Sequence, residues 1–107
     1  MSDALPQPEG WTPRPLVDIG ANLVNKRFRD DLPDVLDRAR AAGVARQLVT
    51  GTSVEVSNAA AELATAHPGE LYATAGVHPH DAGNVGADWL ERLAELARED
   101  GVRALGE

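Results

Sequence analysis

The segment ELYATAGVHPHD, residues 70–81, changes character halfway along. Leu71 to Ala75 read as an apolar strand of the kind that other layers cover. Gly76 and Val77 then lead into two histidines, a proline and an aspartate. A covered strand that ends in ionisable groups is the pattern of α/β proteins, whose chemistry gathers at the C-terminal ends of parallel strands. The fold therefore turns on whether the rest of the chain repeats it.

It does repeat. Upstream, PLVDIG (15–20) and RQLVTG (46–51) are short apolar runs that end in glycine. Downstream, VRALG (102–106) is a fourth such run and leads directly into Glu107. Helical spacing fills the gaps. Leu32, Val35, Leu36 and Ala39 share one face of a helix that Gly43 stops. Thr52 and Glu55 form a T-x-x-E capping box that opens a helix to about His67, with Val56, Ala60, Leu63 and Ala64 inward. In DWLERLAELARED (88–100), Asp88 is the expected N-cap, Leu90, Leu93, Ala94 and Ala97 point inward, and Gly101 is the stop.

The order is β-α-β-α-β-α-β, with strand starts near 16, 46, 71 and 102. Spacings of roughly 25–30 residues fit βαβ units and a parallel sheet. Two closed forms suit this α/β pattern: a small doubly wound sheet, or the first half of a (β/α)8 TIM-like barrel, which takes ~250 residues when complete. Residues 1–15 stand apart as an extended leader, carrying Pro6, Pro8, Pro13 and Pro15. Residues 16–107 form the domain.

Composition narrows the function. The formal net charge of -7 argues against a basic DNA-binding module, although bound divalent cations reverse the local sign at a nuclease site. The absence of cysteine excludes disulfides, zinc knuckles and a thiol nucleophile. The N-terminus lacks the pattern of a secretory signal, and no apolar run reaches the ~18 residues of a membrane span. A cytoplasmic protein is the expectation.

Every strand end is polar. Asp18 lies inside LVDIG, where unpaired burial of a carboxylate would cost several kcal/mol. Either backbone N–H groups satisfy it or a cation does. His78 and His80 form H-x-H, which chelates a metal when both rings share a strand face. Pro79 ends the strand between them, however, so a second reading stands beside chelation: the rings diverge and are held by hydrogen bonds in a turn. Asp81 suits a cap on the next segment. His67, at a helix end on the opposite pole, reads as a dipole partner or a solvated side chain. Glu107 follows a strand, and a carboxylate there suits a hard divalent ion, or two ions bridged.

LVDIGANL (16–23) with Arg27 and Phe28, LVTGTS (48–53), ATAGVHPHD (73–81) and ALGE (104–107) together resemble the TatD family of metal-dependent hydrolases, usually described as deoxyribonucleases. The pieces occur in the family's order and at about its spacing. The resemblance implies a (β/α)8 barrel with one or two divalent ions (Mg, Mn or Zn) and DNA or another phosphodiester as substrate. It implies that Glu107 is a metal ligand, often a bridging one. In such a site the metal binds a phosphate oxygen, lowers the pKa of a water and steadies the developing charge. Many members carry H-x-H after the first-strand aspartate. Here those positions are Gly20 and Asn22, as in a branch that reads D-I-G-x-N. Asn22 then offers a carbonyl oxygen to metal, Asp18 orients it, and His78 contacts phosphate or positions water.

The family's later ligands, two histidines and an aspartate, have no counterpart here. The expectation is an N-terminal portion, about 40% of a full domain, that needs its missing C-terminal half or self-association and is inactive alone. Two rival readings remain: a non-catalytic α/β fragment or half-barrel dimer, and a metallohydrolase of another substrate class.

Overall fold

The computed structural model describes residues 14–106, so the leader apart from Arg14 and Pro15, and Glu107, lie outside the described residues. Seven elements follow one another: β1 (Leu16–Ala21), α1 (Leu32–Ala41), β2 (Val44–Val49), α2 (Val54–Ala66), β3 (Leu71–Ala75), α3 (Trp89–Leu96) and β4 (Val102–Leu105). Two 3-10 turns, Lys26–Phe28 and Pro79–Asn84, lie in the loops after β1 and β3.

The strands form one parallel sheet in the order β1-β2-β3-β4. That order separates the two closed forms. A doubly wound sheet reverses its strand order at a switch point. Here every step goes the same way, and right-handed crossovers then place all the helices on one face. This is the winding of a barrel. Burial agrees with it. Val49, Leu71, Ala73 and Ala75 are buried on the helix side, whereas Val17, which pairs with Arg46 on the other face, is 51% exposed.

Local chemistry explains most element ends. Pro33 sits in the first turn of α1, where its missing N–H costs nothing. Gly43 follows that helix at φ 95°, the left-handed conformation of a C-terminal stop. Gly101 is not the stop expected for α3, which already ends at Leu96 with Ala97 as its C-cap; Gly101 precedes β4, and a Cβ there would lie 2.8 Å from Ala64 Cβ. It is glycine because α2 passes close by. The core is rich in alanine and leucine, with Leu36, Val49 and Leu71 fully buried. Each contributes about 1.5–3 kcal/mol of transfer free energy.

Two other expectations need correcting. The N-cap of α2 is Ser53, not Thr52: Ser53 has extended backbone, and its Oγ accepts the N–H of Val56 at 3.1 Å. Glu55 is left in the first turn, where a carboxylate favours the helix dipole, and lies 3.7 Å from Arg92. In α3, Leu90 is 63% exposed and Ala94 and Ala97 are exposed too, contrary to expectation, and the buried positions are Leu93 and Leu96. That face is set by contact with α2, to which a stripe through Trp89, Leu93 and Leu96 is better turned. Asp88 holds the N-cap position of α3 without making a side-chain cap.

Candidate active site at the C-terminal pole

Four parallel strands bring four polar segments to one pole: Asn22 after β1, Thr50 to Ser53 after β2, Gly76 to Asp81 after β3 and Gly106 after β4. Strands two places apart lie about 10 Å from each other. The residues after β1 and β3 therefore flank those after β2.

Hydrogen bonds between loops fix this pole where the strands part. Thr50 N–H donates to Ala21 O at 3.0 Å, and Gly106 N–H to Ala75 O at 3.0 Å. Beyond β2, Gly51 N–H donates to Thr74 Oγ1 at 3.0 Å. Ser57, fully buried on α2, accepts the N–H of Gly76 at 3.1 Å and donates to its carbonyl at 3.2 Å. His78 N–H donates to Thr52 O at 2.7 Å. The loops after β2 and β3 are thus tied together, and His78 stands at the end of the ties.

The two histidine rings do not diverge. Their centroids are 4.6 Å apart at an interplanar angle of 65°, edge to face. His80 N–H donates to His78 Nδ1 at 3.0 Å, so His78 itself caps the turn that follows. The cap expected of Asp81 belongs to His78, and Asp81 lies within that turn. The local reason is Pro79 at the first helical position: it has no N–H, which leaves the His80 amide to be capped. A neutral imidazole that accepts at Nδ1 carries its proton on Nε2. His78 Nε2 is then a donor suited to an anionic oxygen, and has no lone pair for a metal.

Asp18 is exposed, and its Oδ1 accepts Gly20 N–H at 2.9 Å. The apolar burial expected of it does not occur, because β1 is an edge strand whose neighbours Val17 and Ile19 are themselves exposed. Asn22 is exposed, and its carbonyl accepts Asn25 N–H at 3.3 Å to open the next turn. His67 caps the C-terminus of α2 at the opposite pole. Glu107 lies outside the described residues. Among the described residues, no three of His, Cys, Asp or Glu converge to hold a metal ion.

Sequence reasoning missed Ser57, Thr74 and Gly51. Gly51 stood in plain view in TGTS, but Ser57 and Thr74 read as ordinary polar residues of a helix and a strand.

Known proteins extend these observations. The chain is 47% identical over 92 residues to the 3'-5' ssDNA/RNA exonuclease TatD of Dickeya dadantii (strain 3937), covering 86% of this chain and 35% of that protein. It is 45% identical over 92 residues to the protein of the same name from Edwardsiella piscicida, with the same coverage. The chain therefore spans about a third of the length of these relatives. Among solved structures, an uncharacterized amidohydrolase from Saccharomyces cerevisiae superposes with TM-score 0.72 at 27% identity, over 89% of this chain and 37% of that one. A hydrolase TatD family protein from Entamoeba histolytica shares the fold, with TM-score 0.69 at 23% identity over 91% of this chain and 38% of that one. The family profile described as TatD related DNase matches residues 17–107, and the chain belongs to that family.

Proposed function

We propose that this chain is the N-terminal portion of a divalent-metal-dependent hydrolase that cleaves phosphodiester bonds in nucleic acid. The observation that carries the reading is His78. It stands at the C-terminal pole with Nδ1 occupied by His80 N–H, so Nε2–H is the group left to offer. A phosphate oxygen is a matching acceptor, and a fixed N–H donor stabilises the charge that grows on it during hydrolysis. Asp18 and Asn22 support the site from the β1 side. Glu107 and Asn22 are assigned to the metal side. The described residues do not complete a metal site by themselves.

The open face of the sheet supports a further part of the proposal. With Val17 exposed on that face and, among the described residues, no strand outside β1 or β4, the face calls for cover by a C-terminal half of the barrel. The same bare edges favour a second reading, a non-catalytic dimer of half barrels. Light scattering separates a dimer of defined mass from a monomer.

No described helix is long and apolar enough to cross a membrane. A cytoplasmic nuclease is consistent with that.

The reading is tested by incubating single-stranded DNA with the 107-residue chain and with a chimera, each with magnesium or manganese. The chimera joins residues 1–107 to the part of the Dickeya dadantii relative that follows the matched segment. The chimera is expected to release nucleotides and the chain alone to be inert. Hydrolysis by the chain alone would overturn the assignment of this half as incomplete.

A further inference from the structure

We infer that Ser57 is a positioning residue for the candidate site, setting the direction of His78 through Gly76. The inference rests on the reading of His78 as a phosphate contact and adds a residue outside the strand-end loops.

Serine is a mediocre helix former, yet Ser57 sits inside α2 with 0% exposure. Its hydroxyl both accepts from Gly76 N and donates to Gly76 O. Gly76 is the first residue past β3, where the backbone leaves the ladder and its N–H and C=O lose their strand partners. One buried hydroxyl replaces both. Beyond β2, Thr74 Oγ1 accepts the N–H of Gly51, two residues past the strand end. A Cβ at Gly51 would run into Ser57 Oγ, so glycine there lets the hydroxyl approach.

Two residues on, His78 N–H is held by Thr52 O. The segment 76–78 is therefore pinned at both ends, once by α2 and once by the loop after β2. With both ends fixed, the His80 amide meets His78 Nδ1, and the Nε2 proton has a single direction. Releasing the Gly76 end frees one of the two constraints on that imidazole.

The test uses the full 107-residue chain, uniformly labelled with nitrogen-15, at a pH above the ordinary imidazole range. Long-range proton–nitrogen correlation reports which ring nitrogen of His78 carries the proton. Wild type is expected to show the Nε2–H form. Ser57→Ala is expected to show a mixture at His78 with His67 unchanged, and Gly76 amide exchange about tenfold faster, as expected for loss of one hydrogen bond. Ser57→Cys keeps a side chain of similar shape with a weaker donor, and is expected to fall between the two. It decides the matter where Ser57→Ala does not fold.

An unchanged His78 tautomer in a folded variant that has lost Gly76 protection would overturn the inference. So would a Gly76 amide that already exchanges at the free-chain rate in wild type. Titration with inorganic phosphate is read separately. If His78 resonances of wild type do not move, the phosphate reading fails, while the tautomer comparison still judges Ser57.

Discussion

Replacing Gly51 by alanine adds a single methyl group at the most crowded point of the candidate site. Its Cβ would run into Ser57 Oγ and the carbonyl oxygen of Thr74, and would lie 2.8 Å from Ser57 Cα. Two of those atoms are backbone and cannot swing away. Relief requires α2 to move from β3, or the loop after β2 to lift. Overpacking of a close-packed site costs about 1–3 kcal/mol. Lifting the loop also loses the bond from Gly51 N–H to Thr74 Oγ1, and displacing Ser57 loosens its pair with Gly76. A net contribution of about 1 kcal/mol for such a bond brings the expected loss to about 2–4 kcal/mol. Small domains have only about 5–15 kcal/mol in all. Urea unfolding followed by far-UV circular dichroism measures the loss as a lowered midpoint, with Gly83→Ala as control. A Cβ at Gly83 meets nothing within 4 Å, and that variant should stay within about 0.5 kcal/mol of wild type. A loss below about 1 kcal/mol for Gly51→Ala would refute the reasoning, since it would mean that the site is not close-packed.

Two further outcomes follow from the same structure. Arg40 on α1 bonds Glu70 through Nε at 2.6 Å and Nη2 at 3.1 Å, and also Asp37, and these hydrogen bonds raise its pKa above the ordinary arginine value. A raised pKa gives a contribution that is present at every pH below the unfolded value and lost only on rising through the folded one. Arg40→Ala should therefore lower the urea midpoint slightly and equally at pH 5 and pH 9, and less so at high salt. On the open face, Val17→Gln should leave the 107-residue chain within about 0.5 kcal/mol of wild type. In the chimera the same substitution should cost about 1.5–3 kcal/mol, because the face is then covered. Equal losses in both proteins, read from paired urea melts, would contradict the covered face.

Much of this was legible in the sequence, and the exceptions have physical causes. Alternating apolar runs and helical stripes located the strands and α-helices of the described residues because each is a local pattern. Gly43 marked its stop because a left-handed residue is a local requirement. The winding of the sheet was not legible, since strand order depends on contacts far apart in the chain. Asp18 was misjudged for a related reason: an apolar run suggests a covered strand, but β1 lies at an edge. Leu90, Ala94 and Ala97 were expected inward in place of Leu96 because LERLAEL allows two adjacent apolar stripes, and only packing against α2 chooses between them. In the site, the motif GVHPHD pointed to His78, whereas its orientation came from Pro79 and the His80 amide. Ser57 gave no signal because a buried hydroxyl that serves a distant glycine has no sequence period.

The central claim is that these residues supply one part of a phosphodiesterase site whose metal side includes Glu107. The most direct measurement is release of nucleotides from single-stranded DNA by the chimera with manganese, comparing wild type with Glu107→Ala. The account predicts hydrolysis that a chelator abolishes and that falls at least about a hundredfold in the variant, the upper loss typical where metal-site partners are removed. Undiminished hydrolysis by Glu107→Ala would contradict it.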